Sequence, residues 1–166
     1  MGILAVISGT GAAGICQSMR QRGRIRALKH LEWHLMALEQ NMLQLRLPLP
    51  QALITQIGDD RLALLFREWG RTLRDSRTLS AAEGWQQVID NQQEETYLTG
   101  EDKRLMEKLA ERLGQGNEAE EERLFRYILT QLKARQEQAE QKRAAEERLW
   151  QYGGFMAGIL VVLICL

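Results

Sequence analysis

The sequence predicts an all-α protein: an antiparallel bundle of about six helices between two terminal transmembrane helices. Three observations predict it. All 22 basic and all 22 acidic side chains lie between Arg20 and Arg148. The two ends, MGILAVISGTGAAGICQSM and LWQYGGFMAGILVVLICL, carry no charged side chain. Between them only two prolines occur, Pro48 and Pro50, and apolar residues recur at helical spacing without sustained alternation.

The ends come first. A helix rises about 1.5 Å per residue, so 18 apolar residues span about 27 Å of a hydrocarbon core roughly 30 Å thick. Residues 1–19 and 149–166 each suit one untilted span. A cleaved signal peptide carries its positive charge ahead of the apolar stretch. Here Arg20, Arg22, Arg24, Arg26 and Lys29 follow it. That order predicts a retained anchor with its C-terminal side in the cytoplasm. Lys142, Arg143 and Arg148 precede the second stretch. The expected topology is N-terminus out, body in the cytoplasm, C-terminus out. Cys16 and Cys165 would then lie near opposite faces, too far apart for a disulfide, which needs Cα atoms within about 7 Å. Two free thiols are expected.

Small residues mark both spans. Ala5, Gly9 and Ala13 recur every fourth position, and Gly154 and Gly158 form a G-x-x-x-G pair. Such faces let membrane helices pack closely, although small residues are also common in spans generally. Gly9, Gly11 and Gly14 match the dinucleotide fingerprint G-x-G-x-x-G. That motif needs a following helix and second strand, and an arginine-rich helical pattern follows instead. The nucleotide reading is set aside.

The body, 20–132, reads as one helical bundle. Leu28, Leu31, Leu35, Leu38, Met42 and Leu45 form a seam spaced by threes and fours over residues 24–45. Pro48 and Pro50 end that helix, because an interior proline loses a hydrogen bond and clashes. A short helix is expected over 51–57, then a turn at Gly58 and Asp59 with Asp60 as N-cap. Leu62, Leu65, Phe66, Trp69 and Leu73 mark the next helix. Ser80 and Glu83 form a capping-box pattern before Trp85, Val88 and Ile89. Thr99 caps a helix carrying Leu105, Met106, Leu109 and Leu113, which Gly114 stops. Asn117 with Glu120 opens the longest helix, with Leu124, Phe125, Ile128, Leu129 and Leu132 on its apolar face. Residues 133–148 offer only alanines as apolar groups. They are expected to form a polar helical connector rather than a disordered linker, since Ala, Glu, Gln, Lys and Arg favour helix.

Charge is uneven. Residues 20–77 carry net +5 and residues 78–148 net −5. Glu118, Glu120, Glu121 and Glu122 sit in a first helical turn, where the dipole favours acids. Solvated faces account for most of this, and a charged docking surface is the sharper alternative. His30 and His34 stand one turn apart, but no Cys or further His completes a zinc set. A solvated or headgroup-facing pair is expected, with no metal and no cofactor. No phosphate loop or nucleophile–histidine–acid set stands out, so no catalytic residue is assigned.

Three stretches carry a resemblance: LEQNMLQLRLPLPQAL at 38–53, ERLGQGN at 111–117 and YGGFMAGILVVLICL at 152–166. Together they make the chain similar to the stage III sporulation protein AB family over essentially its whole length. The family's pattern is met at Leu38, Glu39, Met42, Pro48, Leu49, Ala52, Leu113, Gly114, Gly154, Phe155 and Gly158. It is departed from at Asn41, Gln44, Leu47, Asn117 and Leu124.

The resemblance implies a helical domain like that of the inner-membrane platform protein of type II secretion and type IV pilus systems. It also implies membership of the assembly joining mother cell and forespore, built with a secretion-type ATPase. By that likeness the protein is a non-catalytic platform with that ATPase and other membrane proteins as partners. Its body would lie in the cytoplasm on the mother-cell side of the outer forespore membrane. Glu39, Glu118, Glu121 and Glu122 are the candidate docking acids. The competing expectations are a tail-anchored coiled-coil tether that uses the leucine seam between chains, and a generic secretion or pilus assembly membrane protein.

Overall fold

In the computed structural model, residues 22–76, 78–91 and 96–165 are described, the side chains of 146–165 excepted. Among these residues there are six helices and no strand. Helix α1 covers 22–39 and widens into a π-turn at Gln40–Gln44. Then follow α2 (Leu49–Ile54), α3 (Arg61–Asp75), α4 (Ala81–Asn91), α5 (Gly100–Arg112) and α6 (Glu118–Cys165). No helix among the described residues is long and apolar enough to cross a membrane. The expected span 1–19, with Ala5, Gly9, Ala13 and Cys16, lies outside them. So does the packing of the span 149–166, with Gly154, Gly158 and Cys165; only its backbone is described, as helix through Cys165.

Helices α3 to α6 start where their sequence signals stand, and α2 starts two residues earlier than expected. Pro48 is the N-cap of α2, with Pro50 in the first turn, where a missing N–H costs nothing. Asp60 caps α3 by accepting from the N–H groups of Leu62 and Ala63. The Ser80 Oγ accepts from Glu83 N–H at 3.2 Å while Glu83 accepts from Ser80 N–H at 2.8 Å. Thr99 and Asp102 form the same reciprocal box on α5. Asn117 accepts from Glu120 N–H at 2.9 Å to open α6. Gly114 takes the positive φ of 77° that turns the chain out of α5.

The core lies between these helices. Leu28, Leu31, Leu35 and Leu38 are fully buried, and so are Trp69, Leu109, Phe125, Ile128 and Leu132, with Leu113 nearly so. From Leu28 to Leu38 the seam is therefore covered by its own chain, which leaves these four leucines no surface for a coiled-coil partner. Trp69 stacks edge-on against Trp85 at 5.2 Å and donates its indole N–H to the Ala81 carbonyl at 2.9 Å. The large ring thus buries its area without stranding a donor. Gly70 lets α2 cross α3, since a Cβ there would stand 2.7 Å from the Pro50 carbonyl.

The seam ends sooner than its spacing predicts. Leu45 is 61% exposed and Met42 only partly buried. The π-turn is the cause. Leu45 N–H reaches back five residues to the Gln40 carbonyl at 3.2 Å, and Leu47 N–H reaches Asn41 at 3.0 Å. One extra residue in a turn rotates everything after it by about 100°. Leu43 and Leu47 then face the core in place of Leu45. Arg46 closes the helix at a φ of 52°, a place usually given to glycine. The short helix likewise runs over Leu49–Ile54 rather than 51–57.

Helices α1 and α6 run antiparallel, as their contacts show. Near the start of α1, Arg24 shares Asp102 with Arg135, and Lys29 pairs with Glu140 at 2.9 Å. Near its end, Arg46 approaches Glu118 at 3.7 Å. The chain therefore enters the bundle and leaves it at one end. Packing along α6 continues past Leu132: Ala139 is buried, and the Gln136 amide donates to the Leu28 carbonyl and to Glu32. The first part of the polar connector is thus part of the bundle.

Asp102 ties three helices together. Its side chain is fully buried, accepting from Arg24 Nε on α1 at 3.2 Å and from Arg135 Nη1 on α6 at 3.0 Å. The Thr99 N–H and hydroxyl donate to Oδ2, the oxygen that also accepts from Arg24 Nε, at 2.9 and 2.6 Å. Burial pushes the carboxyl up, but the Thr99 hydrogen bonds and Arg24 outweigh it and hold it below the ordinary 3.8.

Two outcomes are expected. Leu38→Ala costs about 2–5 kcal/mol in unfolding free energy, whereas Leu45→Ala stays within about 0.5. Asp102→Asn costs roughly 2–4 kcal/mol at neutral pH, because it leaves two guanidinium groups short of a charge. With the folded carboxyl depressed, Asp102's contribution is present above the ordinary value of 3.8 and lost as pH falls through the folded value. The gap between wild type and Asp102→Asn in urea unfolding should therefore close on acidification below about pH 4.

Candidate functional site

The end of the bundle farthest from the chain's entry carries an open groove of about 960 Å³. Its walls are the outer face of α1 (Trp33, Met36, Gln40), the π-turn and Leu45, the segment Thr55–Ile57, and Glu118 and Glu122 of α6. Trp33, Met36, Leu45 and Ile57 are 50, 53, 61 and 77% exposed. Four large apolar side chains converging on one open groove differ from the scattered apolar groups normal on a surface. The acids Glu39, Glu118 and Glu122 stand on the same walls, and among the described residues no Lys, Arg or His lines the groove.

The π-turn builds one wall. By rotating Leu45 off the core stripe it delivers that side chain to the groove. Asn41 anchors the turn to α2, donating to the Thr55 hydroxyl at 3.2 Å and the Ala52 carbonyl at 3.4 Å.

The opposite wall is held by a buried polar cluster. His34 is fully buried, stacked on Phe66 at 5.6 Å. Its Nε2 lies 3.0 Å from Asp60 Oδ2 and its Nδ1 3.0 Å from Gln56 Oε1. The Gln56 amide donates back to the His34 carbonyl at 3.3 Å, and Arg67 donates to the Gln56 and Gly58 carbonyls at 3.0 and 2.9 Å. Ile57 is thus presented by a loop fixed on both sides. At Asp60, burial pushes the carboxyl up, and His34 and the Ala63 N–H more than offset it, leaving it below the ordinary range.

This corrects the reading of the histidines as a solvated or headgroup-facing pair. His34 is in the interior and His30, half-exposed, approaches Asp60 at 3.5 Å. No group of three or more His, Cys, Asp or Glu among the described residues is arranged to hold a metal ion.

The four candidate acids divide. Glu39, Glu118 and Glu122 meet at the groove. Glu121 faces away and accepts from the Gly114 N–H at 3.1 Å, bracing the turn between α5 and α6. Arg126 donates to Glu122 at 2.6 Å. Glu39 is held above its ordinary value of 4.5, first by burial and then by the charge of Glu122, with Arg126 opposing.

The family model of stage III sporulation protein AB matches residues 1–166, the whole chain. The chain belongs to the stage III sporulation protein AB family. It is a family of structural sporulation proteins, not known enzymes. A solved structure of a stage III sporulation protein AB aligns with 74% of this chain and 98% of its own, at a TM-score of 0.62 and 22% identity. At that identity the match shows the shared helical fold. A search of curated proteins returns no match.

A carboxyl raised above 4.5 contributes a penalty that is absent below 4.5 and full above the folded value. Glu39→Gln should therefore stabilise the detergent-solubilised protein at neutral pH and be neutral near pH 4 and below. The gain should stay under about 1 kcal/mol, because solvent screens a partly exposed carboxylate. Thermal unfolding at the two pH values measures it.

Proposed function

We propose that the protein is a non-catalytic membrane platform of the complex that joins mother cell and forespore during endospore formation. It anchors a secretion-type ATPase together with membrane proteins of that complex. Its body works in the cytoplasm, on the mother-cell side of the outer forespore membrane.

One observation carries this reading within the family: a helical body that presents an apolar, acid-rimmed groove at the end away from the first residues of α1. Apolar groups of that size converging on an open groove suit a protein contact. The uncharged stretches at both ends of the sequence, flanked on the body side by arginine and lysine, supply the membrane attachment.

Affinity purification of the tagged full-length chain from sporulating cells in detergent tests the proposal. The ATPase and membrane proteins of the complex should co-purify in stoichiometric amounts. Folded protein that carries none of them, and does not alter ATP hydrolysis by the purified ATPase, would overturn it.

A further inference from the structure

We infer that the groove receives a basic amphipathic helix supplied by a partner protein, with the helix's apolar face on Trp33, Met36, Leu45 and Ile57 and its lysines or arginines on Glu39, Glu118 and Glu122. This deepens the platform reading and rests on it for the existence of a protein partner.

The shape comes first. Trp33, Met36 and Gln40 follow one another at helical spacing along a wall of α1, so that wall is a strip rather than a pit, apolar at Trp33 and Met36. From Trp33 to Gln40 the α1 part of that wall runs about 10 Å on the α-helical rise, and the π-turn carries it on to Leu45, room for at least two turns of a docked helix. An amphipathic helix laid in a groove places large apolar anchors at the same spacing.

Charge fixes the class of occupant. The walls hold three carboxylates and no basic side chain. Glu39 and Glu122 are close enough to repel, acid against acid. The cations already nearby relieve that only in part: Arg126 pairs with Glu122 at 2.6 Å yet Glu39 stays raised, and Arg46 reaches Glu118 only at 3.7 Å while itself 81% exposed. A cation brought by an occupant meets carboxylates partly withdrawn from water, where an ion pair is screened less than at an open surface. The same charges argue against other occupants. An anionic lipid surface would be repelled. A second copy docked groove to groove would set the acids of one chain against those of the other, since a two-fold contact apposes the same patch to itself.

The supporting walls are rigid, so an occupant need not order them. The π-turn is tied to α2 by Asn41, and the Ile57 loop is pinned by His34 and Arg67. Docking a preformed surface avoids the entropic cost of arranging it.

The test places a photo-crosslinking amino acid at Ile57 of the full-length protein in sporulating cells, with Leu64 as the control. Leu64 is also an exposed apolar residue, at 54% against 77% for Ile57, and does not line the groove. The adduct from position 57 is digested and its peptide sequenced. The expected peptide comes from another protein, is helical, and carries Lys or Arg beside apolar residues at spacings of three and four. The adduct from 64 should lack it. With the crosslinker kept at 57, Glu118→Gln with Glu122→Gln should lower the yield roughly three- to tenfold, and Leu45→Asp by more than about tenfold.

A peptide of this same chain, a lipid adduct, an acidic or non-helical peptide, or no adduct enriched over position 64 would each overturn the inference. So would a yield that the carboxamide pair leaves unchanged. The platform reading fails separately. If the ATPase co-purifies equally with wild type and Ile57→Asp, the platform stands and the groove is not its dock. If the ATPase co-purifies with neither, the platform reading falls whatever position 57 captures.

Discussion

The bundle depends on a charge in its interior. Asp102 receives guanidinium groups from α1 and α6 and closes the capping box of its own helix. Burying a carboxylate is expensive, and the expense is offset only because every lone pair finds a donor. The partners come from positions 78 and 33 residues away in sequence, so the site is complete only when α1, α5 and α6 have all docked. Leucine packing alone would let α1 slide against α6 with modest loss, since apolar contacts are not directional. The Asp102 cluster fixes that register. Everything at the other end of α1, including the alignment of Glu39 with Glu122, inherits it.

Much of the fold was legible because helices announce themselves locally. Proline, the Asx and Ser/Thr caps and the glycine stop each act within a few residues, and each is found where its signal stood. The core was legible up to Leu38 for the same reason. It failed at Leu45 because a π-turn is set by what the segment packs on, here Asn41 against α2, and that partner lies 11 residues or more away. Asp102 was not singled out at all; Thr99 alone was read as a cap, and Arg24 and Arg135 gave no sign of pairing with Asp102. His34 was misjudged similarly. A histidine between Trp33 and Leu35 reads as either buried or exposed until Gln56 and Asp60 are brought against it.

The groove was only half legible. Three of its acids stood out as charge, yet its apolar floor is assembled from a helix face, a displaced turn and a loop tip that share no sequence pattern. Those residues also work against the free protein's stability. Glu39 is partly buried beside a like charge, Ile57 and Leu45 face water, and Arg46 holds a backbone conformation that side chains disfavour. Several unfavourable local choices gathered at one place, in a bundle otherwise consistent from caps to core, mark a surface kept for something other than folding.

The antiparallel course of α1 and α6 sets a distance. Glu122 and Leu149 are 27 residues apart on one continuous helix, about 40 Å along its axis. Whatever the groove grips is held that far up the helix from the start of the C-terminal apolar stretch. The bundle braces the rod through Ala139, with Glu140 paired to Lys29 just beyond it. The arrangement is that of a bracket. It sets its load at a fixed height, and a push on the load reaches the base through a single stiff member.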